Sequence, residues 1–236
     1  MQEPDQINYA LFQAPEIVAD YKSRDQLFPP EQRVFEDLSR FLLRARVVDL
    51  GVGGGRTTSH LISICRAYQA FDFSPAMTEA CRARFPNVPP TTFAEADARS
   101  LPLQSSSVDM FIFSHNGIDC LGHEGRLHAL TEIRRVLCNN GLLFFSSHSL
   151  HVYPFKDEEL QVLNSSVDPQ LLASRGWAVV RDNVSWFYYI YPIQQVSQLR
   201  ENGFNLVAAY DMRGRRHDCR SVVDDYMIHY LCRAKK

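Results

Sequence analysis

Short apolar runs of strand length recur between residues 45 and 149, and they constrain the fold more than any other feature of the sequence. In chain order these runs are ARVVDLG, YQAFDFS, TTFAEAD, VDMFIFSH and GLLFFSSHS. Helix-forming segments lie between most of them; in residues 122–137 the apolar side chains recur at the spacing of one helix face. This alternation predicts a parallel sheet covered by helices on both faces, which is an α/β fold.

Net charge and hydropathy exclude two classes of partner. The formal net charge is −2, so the chain has no basic excess to neutralise nucleic-acid phosphates. The one basic run, MRGRRHDCR at residues 212–220, predicts a solvated hairpin, with a site for an acidic substrate as the alternative. No stretch has the roughly 18 consecutive apolar residues of a membrane-spanning helix.

The first thirty residues and the cysteines indicate the compartment. The first thirty residues contain acidic side chains and no continuous apolar segment, so a signal peptide is not expected. The six cysteines are widely spaced, and none forms a C-x-x-C pair. Reduced thiols in a cytoplasmic protein are therefore expected.

The first of the apolar runs ends in a glycine cluster, VVDLGVGGG at residues 47–55. A dinucleotide-binding turn needs a third glycine at the position where this chain has Arg56. Asp49 would also repel a pyrophosphate at this turn, whereas it would attract a ligand that carries a cation. The turn therefore predicts a ligand with a cationic end, close to the backbone.

The spacing D-x-G-x-G-x-G, at Asp49, Gly51, Gly53 and Gly55, resembles the first motif of class I S-adenosylmethionine-dependent methyltransferases. The resemblance implies that the glycine turn passes close to the methionine part of the cofactor. It also implies that Asp49 lies near the ammonium group of the cofactor.

Two later acids continue the resemblance in the expected order. Asp72, followed by Phe73, ends the second strand, where the family's acid binds both ribose hydroxyls. Asp97, beside Ala98, follows the third strand, where the family's acid meets the adenine amino group. The segment EIRRVLCNNGLLFFSS resembles the family's helix, glycine turn and fifth strand.

Three further residues extend the predicted cofactor site. Ser114 ends the fourth strand, next to the position expected for the transferring methyl group. Tyr21 and Tyr9 lie on N-terminal segments that cover the cofactor in related enzymes.

The resemblance also implies the architecture of the chain. It implies a Rossmann-like seven-stranded, mostly parallel sheet with helices on both faces and an antiparallel last strand. A single methyltransferase domain over 1–236 would then comprise four parts. They are an N-terminal helical cap at 1–44, a cofactor-binding core at 45–149, an insertion or substrate lid at 150–191, and the C-terminal part of the sheet at 192–236.

The methyl acceptor leaves a weaker pattern, because direct methyl transfer depends mainly on positioning and requires no single catalytic signature. His115 and His148 follow the fourth and fifth strands and are candidate bases, with ordinary hydrogen bonding to a neighbouring loop as the alternative. Asn116 and Asp119 are candidate substrate contacts in the same loop as His115.

An aromatic run at residues 186–191 is a candidate wall of the substrate site. Trp186 and Tyr188 are the predicted substrate contacts, because aromatic faces stabilise sulfonium and ammonium groups. The alternative is a buried strand, in which alternate side chains belong to the core regardless.

Metal and nucleic-acid chemistry are not expected. His123 and His128 are five residues apart and do not share a helix face, so they predict no metal site. The family's nucleic-acid amino-methyltransferases have N/D-P-P-Y/F after the fourth strand, where this chain has SHNG.

The leading hypothesis is therefore an S-adenosylmethionine-dependent methyltransferase that acts on a small-molecule nitrogen or oxygen acceptor and releases S-adenosylhomocysteine. The alternative is a regulatory module that binds the cofactor without turnover, and an NAD-linked oxidoreductase is a distant third. The sequence leaves the oligomeric state and the acceptor's identity open.

Overall fold

The computed structural model describes residues 3–152, 161–162, 176–182, 185–222 and 225–235. These residues form strands β1 to β10, with the bounds Arg46–Leu50, Ala67–Asp72, Phe93–Glu95, Val108–Phe113, Leu137–Ser149, Gln161–Val162, Trp177–Asp182, Ser185–Ile190, Phe204–Tyr210 and Met227–Ala234. They also form helices α1 to α8, with the bounds Glu3–Leu11, Pro15–Ser23, Pro29–Asp37, Ser39–Leu42, Thr58–Leu61, Pro75–Arg84, His123–Val136 and Pro192–Glu201. None of the described helices has the length and apolar character needed to cross a membrane.

The main sheet has the strand order β3-β2-β1-β4-β5-β10-β9. The first five strands are mutually parallel, whereas β10 is antiparallel to both β5 and β9. The predicted Rossmann-like, mostly parallel sheet with an antiparallel last strand is confirmed. The strand order reverses between β1 and β4, and a reversal of this kind opens a crevice at the carboxyl ends of the strands.

Strands β6, β7 and β8 extend the sheet beyond β4. Strand β8 pairs with the last two residues of β5, at His148 and Ser149, after β4 has ended opposite Phe145. Because β10 occupies the other edge of β5 as far as His148, β8 follows β4 along the same edge. This arrangement brings β8 to the carboxyl end of β4.

The predicted insertion at 150–191 is only partly described, since residues 153–160, 163–175 and 183–184 lie outside the described residues. The aromatic strand predicted there corresponds to β8. Its antiparallel partner β7 was not expected, because residues 150–185 show no clear periodicity.

Three elements differ from what local sequence patterns indicate. The segment TTSHLISICRAY at 57–68 forms only the short α5, and the chain enters β2 at Ala67 to pair with Arg46. The helical apolar spacing of residues 31–43 is divided between α3 and α4 by Leu38, whose ψ of 9° is not helical. The residues NNG between α7 and the apolar strand lie inside β5, where Asn140 has a φ of +61° and the pairing with β4 shifts register.

Both faces of the central strands are buried, which explains their nearly continuous apolar sequences. Phe111 and Phe145 face a core completed by Ile133 of α7 and Leu199 of α8. Alternate residues of the same strands, including Ile112 and Phe144, face a second core, which Val34 and Leu42 of the N-terminal helices complete. The helices on both faces are therefore required to cover the sheet.

A charged cluster lies inside the first of these cores. The guanidinium of Arg126 on α7 has no exposed surface and pairs with the equally buried carboxylate of Asp119. It also donates hydrogen bonds to Ser147 of β5 at 3.0 Å and to Gln198 of α8 at 2.9 Å. Arg126 therefore joins α7, β5, α8 and the loop after β4.

Replacement of Arg126 by alanine is expected to lower the free energy of unfolding by about 3–5 kcal/mol, because Asp119 would keep a buried charge without its partner. Urea denaturation measures the change. Arg33→Ala is the matched control, since Arg33 pairs with Asp37 at 3.1 Å with both side chains about half exposed. The control should cost less than about 1 kcal/mol. Equal effects of the two substitutions would contradict the expectation.

Candidate active site

A cavity of about 390 Å³ lies at the carboxyl ends of β1, β2, β4 and β5, at the reversal of strand order. Helices α1 and α2 cover it, and Phe187 of β8 contributes to its wall. The side chain of Asn8 fastens α1 to β8, because it accepts a hydrogen bond from Trp186 N at 2.8 Å and donates one to Trp186 O at 2.7 Å. The N-terminal helices are therefore part of the cavity wall.

Most of the residues predicted to form the site line this cavity. They are Tyr9, Tyr21, Asp49, Gly51, Gly53, Asp72, Phe73, Asp97, Ala98, Ser114, His115, Asn116 and His148. Gly55, Asp119, Trp186 and Tyr188 do not line it.

The glycine turn after β1 has three left-handed residues, Gly51, Gly53 and Gly55, with φ values of +60°, +55° and +82°. The neighbours of the turn are largely protein atoms. A Cβ on Gly53 would lie 2.9 Å from the Tyr21 ring, and one on Gly54 would lie 2.4 Å from the backbone of α2. The absence of side chains at these glycines therefore allows α2 to pack directly against the turn, which also faces the cavity.

Arg84 holds this contact together. Its guanidinium donates to Gly54 O at 2.9 Å and to Arg24 O at 2.8 Å, so one side chain ties the glycine turn to the end of α2. Gly55 packs on the other side of the turn, against Phe85 and Cys81. This packing explains why Gly55 does not line the cavity.

Asp49 ends β1 and is almost completely buried. Its carboxylate accepts hydrogen bonds from Thr57 and from the Tyr68 hydroxyl, the latter at 2.9 Å. Burial raises the pKa of Asp49 to about 6, and the two hydrogen bonds oppose the rise. An ionised Asp49 is costly here unless a cation enters the cavity beside it.

Asp72 ends β2, one strand away. Its carboxylate accepts hydrogen bonds from Gly53 N at 2.8 Å and from Ser74 N at 2.9 Å. Burial raises its pKa to about 6, although backbone N–H groups of Ser74, Gly53 and Phe73 oppose the rise. A carboxylate has about four acceptor positions, so Asp72 can still accept a hydrogen bond from a ligand.

Asp97 follows β3 and is engaged by Arg99, whose guanidinium also reaches Asp5 of α1. The Arg99–Asp97 and Arg99–Asp5 distances are 2.7 and 2.6 Å. This ion-pair cluster closes the end of the cavity nearest β3. Above it, the rings of Tyr9 and Phe73 meet edge to face, with centroids 5.1 Å apart.

A second ion pair, not anticipated from the sequence, lies beneath the cavity. Glu31 has no exposed surface, and both of its carboxylate oxygens accept hydrogen bonds from Arg56. The hydroxyl of Ser114 donates a hydrogen bond to one of these oxygens. Glu31 also accepts from Phe28 N at 2.7 Å, which is the position of a helix-capping glutamate. The sequence signal at Glu31 was therefore that of a cap, and nothing in it linked the residue to Arg56.

The loop after β4 has an unusual backbone. His115 and Asn116 are consecutive non-glycine residues in the left-handed region, with φ values of +52° and +59°. Such conformations cost free energy and are concentrated at functional sites. Here they bring both side chains to the cavity wall.

The His115 ring stacks on Phe28 with a centroid distance of 5.5 Å, and its Nε2 lies 3.4 Å from Arg24. Burial lowers the pKa of His115 to about 4, and the positive charges of Arg56 and Arg24 add to the effect. The imidazole is therefore neutral near pH 7.

The predicted substrate contacts Asp119, Trp186 and Tyr188 lie outside the cavity wall. Asp119 has no exposed surface and is paired with Arg126. Trp186 and Tyr188 share one face of β8 and are buried in a separate apolar cluster. Because side chains alternate along a strand, Phe187 faces the cavity instead.

Asp119 still reaches the cavity indirectly, through His148. Its Oδ2 accepts a hydrogen bond from His148 N at 2.6 Å and lies 2.9 Å from His148 Nδ1. His148 Nε2 lies 2.9 Å from Asn116 Nδ2. Among the described residues, no group of His, Cys, Asp and Glu side chains could hold a metal ion.

Comparison with known proteins identifies a methyltransferase domain within the chain. A family model described as a methyltransferase domain matches residues 48–145. The matched segment and the fold, which S-adenosylmethionine-dependent methyltransferases share, indicate an enzyme with S-adenosylmethionine as its cofactor. No curated protein matches the sequence.

Solved structures resemble the fold over nearly the whole chain. The CcbJ methyltransferase from Streptomyces caelestis has a TM-score of 0.67 at 17% identity, with 93% of this chain and 96% of that chain covered. An amino pentose methyltransferase from Micromonospora echinaspora has a TM-score of 0.62 at 16% identity, with coverages of 92% and 95%. A 1,6-didemethyltoxoflavin-N1-methyltransferase from Burkholderia thailandensis has a TM-score of 0.58 at 14% identity, with coverages of 100% and 92%.

The contact between α2 and the glycine turn generates a test. Gly54→Ala would bring a Cβ to 2.4 Å from the backbone of α2, so α2 has to shift at a cost of about 1–3 kcal/mol. Faster amide hydrogen exchange in α2 is expected, measured by mass spectrometry. Gly125→Ala is the control, because its Cβ would meet no atom closer than 3.4 Å. Unchanged exchange in the Gly54 variant would contradict the packing.

Proposed function

We propose that this methyltransferase transfers the methyl group to a nitrogen or oxygen atom of a small-molecule acceptor. The observation that carries the proposal is the cover of α1 and α2 over a cavity of about 390 Å³. A covered cavity of this size suits small-molecule ligands, whereas a polymer would need an open groove. The amino pentose and toxoflavin enzymes named above act on small molecules by their names, which supports the same class here.

The proposed cofactor site follows the row of carboxyl ends. Asp49 would hold the ammonium group beside Gly51 and Gly53, and the remaining acceptor capacity of Asp72 would receive the ribose hydroxyls. The uncompensated burial of both carboxylates supports this arrangement, since a cation and two hydroxyl donors would stabilise their ionised forms.

The rest of the cofactor would extend toward β3. Asp97, Ala98 and Phe73 line that end and are the proposed adenine contacts. Tyr21 and Ser114 border the opposite end, near the proposed methionine part. S-adenosylmethionine, when bound, supplies an electrophilic methyl group on a sulfonium.

The acceptor side is bordered by His115, Asn116, His148 and Phe187. His115 and His148 are the proposed catalytic side chains, because both line the acceptor side of the cavity. A correctly positioned acceptor in this cavity can supply much of the catalysis.

Cellular context stays a prediction. We propose a protein without a nucleic-acid or membrane partner, in a cytoplasm that keeps its cysteines reduced. Support comes from the net charge of −2 and from six cysteines that are all free in the structure.

The function is tested with methyl-labelled S-adenosylmethionine and a macromolecule-free metabolite filtrate. We expect label in a small product together with release of S-adenosylhomocysteine, separated by chromatography and identified by mass spectrometry. A parallel incubation uses whole extract. If it labels protein or nucleic acid and yields no labelled small product, the small-molecule acceptor is contradicted. Cofactor binding without any transfer would instead favour the regulatory module.

Affinity for S-adenosylmethionine is expected to fall as the pH falls from about 7 to about 5. Ionised Asp49 and Asp72 are the binding forms, and both have pKa values of about 6, so acidification protonates them. The dissociation constant should rise about tenfold for each carboxylate that has to be ionised. Isothermal titration calorimetry measures it.

Two substitutions control the pH experiment. Asp72→Asn should weaken binding by about 1.5–3 kcal/mol at neutral pH and should reduce the pH dependence. Asp37→Asn, at a half-exposed residue of α3, should leave both unchanged. Tighter binding at low pH would contradict the assigned roles.

A further inference from the structure

The amide oxygen of Asn116 is a buried acceptor at the acceptor side of the cavity. Asn116 lines the cavity, and only 5% of its surface is exposed. Its Oδ1 has no hydrogen-bond partner within the described part of the chain. A buried polar atom without a partner is costly, so this oxygen favours a ligand that donates a hydrogen bond.

The orientation of the amide follows from the buried ion pair behind it. Asp119 forms a buried ion pair with Arg126, and its Oδ2 lies 2.9 Å from His148 Nδ1. This contact is poorly aligned for a hydrogen bond, but a carboxylate so close still favours the tautomer with hydrogen on Nδ1. His148 Nε2 is then an acceptor.

That acceptor fixes which end of the Asn116 amide faces the ligand. Nδ2 of Asn116 lies 2.9 Å from His148 Nε2 and donates to it. The reversed amide would place two acceptors, Oδ1 and Nε2, against each other. Oδ1 is therefore the atom left for a ligand.

The backbone of Asn116 is also held in one conformation. Asn116 has a φ of +59°, and its N–H donates to Ser146 Oγ at 2.8 Å. Asparagine is among the few side chains that tolerate this conformation. The loop thus holds the amide rigidly at the end of β4.

We propose that Asn116 Oδ1 accepts a hydrogen bond from an N–H group of the methyl acceptor, and that the acceptor atom is therefore a neutral amine or other N–H nitrogen. This inference rests on the proposed function, which by itself leaves nitrogen and oxygen open.

Methyl transfer to nitrogen differs from transfer to oxygen in what happens to the proton of the acceptor atom. When a nitrogen lone pair forms the N–CH₃ bond, the S–CH₃ bond breaks and its electron pair stays on sulfur. The nitrogen keeps its hydrogen and gains positive charge, so the N–H becomes a stronger donor to Asn116 Oδ1 in the transition state. The interaction strengthens as the reaction proceeds, which is the requirement for catalysis. The extra proton passes to water after product release.

A hydroxyl acceptor would instead have to lose its proton during transfer. A carboxamide oxygen is not a base, and Nε2 of His148 is already occupied by the Asn116 amide. His115 is a weak base, because burial and two nearby arginines lower its pKa to about 4. The described groups around Oδ1 therefore suit a nitrogen that needs no base in the transfer step.

Positive charge on the product is compatible with the neighbouring arginines. Arg56 is paired with Glu31, and Arg24 is paired with Asp20. Each arginine therefore has a carboxylate partner that offsets part of its charge. The Phe187 ring, 5.1 Å from the His148 ring, offers an aromatic face near the same place.

The test identifies the atom that receives the label in the metabolite-filtrate reaction. Nuclear magnetic resonance of the product made with ¹³C-methyl S-adenosylmethionine distinguishes an N-methyl from an O-methyl group by chemical shift. N-methyl product supports the inference. O-methyl product would overturn it while leaving the small-molecule methyltransferase intact, whereas absence of any labelled product would overturn both.

Variants of Asn116 test the role of the amide with the same product-forming reaction. Asn116→Gly removes the amide without backbone strain, because glycine adopts positive φ freely. We expect kcat/KM for the acceptor to fall about 10- to 100-fold, with unchanged affinity for S-adenosylmethionine. Asn116→Asp retains an acceptor oxygen and should recover part of the loss.

Asn140→Gly is the matched control, because Asn140 has a φ of +61° but lies exposed and away from the cavity. Its kinetics should equal those of the unaltered protein. Activity of Asn116→Gly within twofold of this control would overturn the role of the amide, and so would weakened cofactor binding that accounts for the whole loss.

Discussion

The buried charge of Arg126 is the interaction on which much of the structure depends. A guanidinium without exposed surface requires partners, and Asp119, Ser147, Gln195 and Gln198 supply them from three other segments of the chain. The same network fixes the loop after β4 against β5. Since Asp119 has a second oxygen facing His148, the group that secures the core also orients a side chain of the cavity.

The cavity arises from two independent features of the fold. The reversal of strand order opens a crevice at the carboxyl ends, and the N-terminal helices close it. The glycines after β1 serve both, because they allow the turn to face the crevice and allow α2 to touch its backbone. Enclosure and close approach are therefore consequences of the same short stretch of sequence.

Charge and strain are distributed unevenly around the cavity. Asp49 and Asp72 carry the electrostatic cost at the ends of β1 and β2, where burial raises both pKa values to about 6. After β4 the cost is conformational, in the left-handed backbone of His115 and Asn116. Costs of this kind are concentrated at sites that bind ligands.

The sequence by itself determined the parallel sheet, because local periodicity encodes strand ends, and strand ends meet at one edge of a parallel sheet. The resemblance to a known family singled out Asp49, Asp72 and Asp97 among the residues at that edge. Tertiary structure alone decided which aromatic side chain of β8 faces the cavity. A shift of one residue in the register of β8 would replace Phe187 there with one of its neighbours. It also decided that Asp119 pairs with Arg126 and contacts His148 instead of lining the cavity. Contacts between residues distant in the chain depend on packing, and no local pattern of residues specifies them.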